Sequence, residues 1–156
     1  MKLQYLLLAI SMQIGLISVA QDAGIKKKQF NLSENGLAIQ GYDPVSYYTG
    51  KKPVKGKKEL AVTHEGVTYY FSSQANKDIF LKSASAYEPA YGGWCAYAMG
   101  AKGEKVSIDP ETFKIINNRL YLFYNRFFNN TLHDWNKDEM ALKQRADLTW
   151  KKIFNN

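Results

Sequence analysis

Cys95 is the sole cysteine among 156 residues, and it is the side chain here best suited to chemistry. A thiolate attacks disulfides or peroxides and ligates soft metals, provided that a helix N-terminus or a nearby cation stabilises the anion. With no second cysteine the chain has no resolving partner. An oxidised Cys95 would have to relax through a mixed disulfide or a sulfenic acid relieved by an outside thiol. That pattern suits a one-cysteine peroxidase or a sensor better than a disulfide oxidoreductase. His64 adds an imidazole, and imidazole with thiolate is a competent copper(I) or zinc pair, although two ligands do not name a metal. The bland alternative for Cys95 is a small buried hydrophobe between Trp94 and Tyr97. His133, beside Asp134, reads as a surface residue. Asp43 and Asp109 each precede a proline, where a carboxylate caps a turn by accepting from its own backbone. No Ser-His-Asp spacing, paired catalytic carboxylates or phosphate-cradling glycine loop is present, which disfavours a conventional hydrolase or kinase.

These groups must be held by a small fold. Lys2, the apolar run from Leu3 to Val19 and the small residues Ser18-Val19-Ala20 read as a signal peptide over residues 1–20, followed by the polar Gln21-Asp22. The protein is therefore expected to be exported, periplasmic or secreted, with no stable membrane span after cleavage. Export with a lone cysteine leaves packing alone to stabilise the fold. The formal charge is +7, concentrated at Lys26-Lys27-Lys28 and in the loop holding Lys51, Lys52, Lys55, Lys57 and Lys58. We read both runs as solvated, and export argues against a nucleic-acid partner. Residues 21–36 read as a flexible linker and residues 37–156 as one domain.

Leu60–His64 and Val67–Phe71, joined by Glu65-Gly66, read as a β-hairpin. Phe113–Ile116 and Arg119–Tyr124, joined by Asn117-Asn118, read as a second. Ser72 and Ser73 can cap a helix over about 74–83, which carries Ala75, Ile79 and Phe80 on one face. Trp135, Leu142, Ala146, Trp150 and Ile153 trace one face of a long helix over 131–153. The fold class expected is α+β: small antiparallel hairpins, or one sheet holding both, packed against a short central helix and a long C-terminal helix.

Asp43-Pro44-Val45-Ser46 and the segment from Thr68 through Tyr69-Tyr70-Phe71-Ser72-Ser73 to Lys77 resemble the YHS domain, a small module associated with heavy-metal handling. Where metal-associated members read Asp-Pro-Val-Cys and Tyr-Phe-Cys-Ser-x-x-Cys, this chain has Ser46, Ser72 and Asn76. Hydroxyl and amide groups replace thiolates poorly, so the resemblance does not carry the usual metal site here. Gly41–Val45, Tyr91–Ala98, Asp109-Pro110-Glu111, Leu120–Asn125 and the tryptophan-bearing C-terminal helix extend the likeness. They resemble the exported "YHS domain-containing (seleno)protein" family over roughly residues 37–152. That resemblance implies that Cys95 stands where some members carry selenocysteine, a swap that suits only a reactive or metal-ligating position. The expected function is a binding module with a thiol-redox role at Cys95, taking a small thiol or peroxide as partner and no bound cofactor. The alternatives are a copper or zinc module using Cys95 with His64, and a structural domain that contacts a protein partner.

Overall fold

Two-residue turns organise the strands, and the computed structural model, which describes residues 23–155, places both central residues of each turn at positive φ. β1 (Lys57–His64) and β2 (Val67–Phe71) turn over Glu65 (φ 46°) and Gly66 (φ 79°). β3 (Asp109–Ile116) and β4 (Arg119–Phe123) turn over Asn117 (φ 48°) and Asn118 (φ 57°). Left-handed backbone at both positions matches the right-handed twist of the flanking strands. Both hairpins are those expected from the sequence. A third, β5 (Asn125–Arg126) with β6 (Asn129–Asn130), was not expected. Among the described residues the strands stay as separate two-stranded antiparallel sheets.

β2 alternates, burying Val67, Tyr69 and Phe71. β4 is buried on both faces: Leu120 and Leu122 join one core with Val45, Tyr47, Phe71 and Phe80, while Tyr121 and Phe123 join a second with Tyr91, Met99, Trp135 and Leu142. This double burial makes β4 the spine of the domain. Among the described residues seven α-helices surround it: α1 (residues 23–29), α2 (Ser46–Thr49), α3 (Gln74–Lys82), α4 (Ala84–Tyr87), α5 (Ala96–Ala101), α6 (Thr131–Lys137) and α7 (Glu139–Phe154). The short central helix is α3, whose cap is Ser73: its Oγ accepts from Asn76 N at 3.2 Å. The α+β class stands, with a long C-terminal helix.

Two expectations change. The long helix is broken at Asp138 (φ −148°, ψ 49°) into α6 and α7, so that Trp135 and Leu142 both reach the second core. The stretch read as a linker, residues 21–36, is packed from residue 23 onward. Phe30 is buried, Asn31 N donates to Gly92 O at 2.9 Å, and Ala38 N donates to Thr68 O. The lysines that suggested a solvated tether conceal one buried member, Lys26, whose ion pairs anchor α1. The expected signal peptide over residues 1–20 lies outside the described residues. No described helix is long and apolar enough to cross a membrane.

Candidate functional site

Cys95 stands at the N-terminus of α5, delivered there by a left-handed reversal through Tyr91 (φ 54°), Gly92 (φ 59°) and Gly93 (φ 82°). A Cβ on Gly92 would lie 2.7 Å from the Phe30 ring and 2.9 Å from that of Trp150, so a side chain there would drive apart the rings that pack α1 and α7 together. Tyr91 is fixed in turn by its hydroxyl, which donates to Asp147 at 2.9 Å; burial, with that acceptor, pushes its phenol far above the usual range. Cys95 N donates to Val106 O, and its carbonyl accepts the first bond of α5 from Met99 N.

Cys95 is fully buried and borders a cavity of about 350 Å³ lined also by Tyr97, Ala98, Lys102, Glu104, Val106, Tyr124, Asn129 and Thr131. Tyr124 N donates to Sγ at 3.4 Å, and Thr131 Oγ1 lies 3.4 Å from it. The single hydroxyl proton of Thr131 points to Tyr124 O at 2.9 Å, so a neutral Cys95 donates its own S–H to Thr131 Oγ1. Tyr124 O also accepts from Thr131 N at 3.0 Å. The Thr131 hydroxyl can therefore rotate onto a sulfur anion and leave no buried acceptor orphaned. Neither Tyr124 nor Thr131 was singled out from sequence as a partner of Cys95. Their only local signals are the end of a strand pattern and the start of a helix.

His64 is not part of this cavity. It ends β1, edge-on to Phe80 with ring centroids 6.1 Å apart, and its Nε2 lies 3.7 Å from Glu65. The structure thus does not bring together the Cys95–His64 pair considered from sequence. His64 instead joins Glu65 and Glu88 in a group whose ligand atoms lie within 4.8 Å of one another. The Lys26 ammonium sits between the two carboxylates, 2.5 Å from Glu65 and 2.7 Å from Glu88. Burial alone would lower the Lys26 pKa. The bonds from Glu65 and Glu88 outweigh it and raise the value, and Lys26 holds Glu65 below the ordinary carboxylate range. His133 is exposed, as expected.

Ser46, Ser72 and Asn76, the positions of the missing thiolates, converge on Asp43, which is completely buried. Asp43 Oδ2 accepts from Ser72 N (2.8 Å), Ser72 Oγ (2.6 Å) and Asn76 Nδ2 (2.7 Å). Its Oδ1 accepts from Val45 N (2.8 Å) and Ser46 N (3.3 Å), the turn-capping role expected before Pro44. Ser46 Oγ donates to Asp43 O and accepts from Val54 N. The Ser72 hydroxyl and Asn76 amide are committed as donors to the carboxylate and the Ser46 hydroxyl to the Asp43 backbone carbonyl, and the lone pairs that remain are hydroxyl or amide oxygens. The residues do not fit a soft metal. Asp109 caps its turn similarly, accepting from Glu111 N at 3.0 Å and from Thr112 Oγ1 at 2.8 Å.

Comparison with known families matches residues 45–91 to the YHS domain. The match takes in Ser46, Ser72 and Asn76 and ends before Cys95. No curated relative and no solved structure matches the chain.

Proposed function

The chain carries a YHS domain at residues 45–91, and from that premise we propose an exported binding module in which the Cys95 thiol meets a small peroxide or thiol inside the cavity beside α5. The signal-like residues 1–20, the single thiol and the wider likeness to the exported subgroup motivate this reading. One observation carries it: the buried Cys95 borders a cavity, and a backbone N–H and a rotatable hydroxyl both stand ready to donate to a sulfur anion.

The cycle balances with outside reactants. Cys95 gives up its proton, and its sulfur attacks a peroxide oxygen. The O–O bond breaks, an alcohol or water leaves after taking a proton, and Cys95 becomes a sulfenic acid, oxidised by two electrons. An outside thiol displaces the hydroxyl as water and forms a mixed disulfide. A second outside thiol cleaves that bond and restores Cys95. Mass spectrometry tests the scheme: the folded protein is exposed to hydrogen peroxide and then to glutathione. We expect one adduct at Cys95, reversed by excess thiol and missing from Cys95→Ser. An unmodified native protein would sink the proposal.

A second reading rests on a separate observation, the grouping of His64 with Glu65 and Glu88. It moves metal binding away from Cys95 and requires the metal to displace Lys26. Zinc titration followed by calorimetry separates the two readings. Binding that is lost in His64→Ala and kept in Cys95→Ser supports the metal; no heat of binding removes it.

A further inference from the structure

Phe127 and Phe128 occupy both central positions of the β5–β6 turn, with φ of 52° and 65°. Such turns take Asn, Asp or Gly, because a bulky side chain at positive φ is strained. The β3–β4 turn complies at both positions with Asn117-Asn118, and the β1–β2 turn at its second with Gly66, placing the polar Glu65 at its first. The two phenylalanines are also 90% and 111% exposed, and neither joins a core cluster. They thus strain the backbone and bury no apolar area. Folding does not explain the choice of residue, so an external apolar phase does.

Size and charge identify that phase. Two rings offer roughly 300–500 Å², well short of the ~1,000 Å² that a stable protein–protein contact needs. A lipid interface requires no complementary shape. The polar collar consists of Asn125, Arg126, Asn129 and Asn130. Arg126 is the basic residue next to the tip; Lys114 is paired with Glu139, and Arg119 opens β4 at its far end. Arg126 is exposed and makes no ion pair among the described residues, so its guanidinium is available to a phosphate. The +7 formal charge favours the same surface.

We propose that the Phe127–Phe128 tip is a peripheral membrane anchor, inserting both rings into the interfacial layer of an anionic lipid surface with Arg126 on the headgroup phosphates. Asn129 and Thr131, which follow the tip, line the Cys95 cavity, so an anchored tip holds that cavity near the lipid.

The test uses protein recovered after expression with its own N-terminal segment and vesicles of phosphatidylglycerol mixed with phosphatidylcholine, beside vesicles of phosphatidylcholine alone. Cosedimentation is compared for wild type and Phe127→Asn/Phe128→Gly, which installs the residues this turn prefers. We expect wild type to favour the anionic vesicles at least about tenfold, since the basic residues add to the attraction. The variant should bind them at least about tenfold more weakly, even with the rings only partly inserted. It should also melt about 3 °C or more higher, because the left-handed strain is relieved. Equal binding by wild type and variant, or equal binding to neutral vesicles, overturns the proposal. So does concentration-dependent dimerisation that the variant abolishes, since the rings would then serve a second copy of the chain.

Discussion

Replacing Asp43 by asparagine tests whether a buried carboxylate holds together the cluster of Ser46, Ser72 and Asn76. The side chain is fully buried and accepts five hydrogen bonds, three at Oδ2 and two at Oδ1. An amide can present oxygen to only one of these sets. Whichever way it is turned, its NH₂ faces at least two donors that lose their acceptor. Each buried donor left unpaired costs about 1–3 kcal/mol. Side-chain rotation at Ser72 and Asn76 recovers part of this, and we expect Asp43→Asn to lose about 2–4 kcal/mol. Asp43→Ala, which removes both oxygens, should lose more. Domains of this size are stable by ~5–15 kcal/mol, so Asp43→Asn should fold and yield a complete transition. Urea unfolding followed by tryptophan fluorescence gives the difference by linear extrapolation, with the slope unchanged. A loss below about 1 kcal/mol would refute the argument that the carboxylate organises this cluster.

Two further outcomes follow from packing and charge. A Cβ on Gly100 would lie 2.3 Å from Leu142 O, so Gly100→Ala must push α5 away from α7; we expect the melting temperature to fall by about 5–10 °C. Lys26 should give a stability plateau between two pH limits. Its amine is raised above the ordinary 10.5 by Glu65 and Glu88 against the opposing effect of burial, so its contribution is complete below 10.5 and is lost as pH climbs through the raised folded value. Glu65 is lowered from 4.5 by Lys26, so its contribution is complete above 4.5 and fades as pH falls through the lowered value. The stability difference between wild type and Lys26→Met, measured by urea unfolding across pH, should be flat between these limits and shrink beyond each. A difference that does not vary with pH would show that the ion pairs contribute nothing.

Local patterns made much of the fold legible. Glu65-Gly66 and Asn117-Asn118 announce their turns by residue type, and Ser73 announces α3 by its hydroxyl. Phe127-Phe128 announces nothing, because its residue types contradict its backbone. The break at Asp138 was hidden since the apolar spacing of Trp135, Leu142, Ala146 and Trp150 runs on across it. Lys26 differs from the reading because a lysine run looks solvated unless its partly buried acids, 39 and 62 residues away in Glu65 and Glu88, are known. The site follows the same rule. Cys95 stands out as the only thiol, and the loss of thiols at Ser46, Ser72 and Asn76 is visible against the family pattern. That these three positions share one carboxylate, and that Cys95 shares a cavity with Tyr124 and Thr131 while His64 lies elsewhere, depends on contacts between distant segments.

The central claim is that Cys95 works inside a cavity of the folded protein. The direct test is the rate at which a small methanethiosulfonate reagent modifies Cys95 as urea is raised through the range where the protein stays native. If the reagent enters through the cavity, the rate is nearly independent of urea there and Val106→Ala, which opens the lining, raises it. If Cys95 is only a core residue, modification requires global opening; its rate then climbs exponentially with urea with the slope of the unfolding equilibrium, and the account is contradicted.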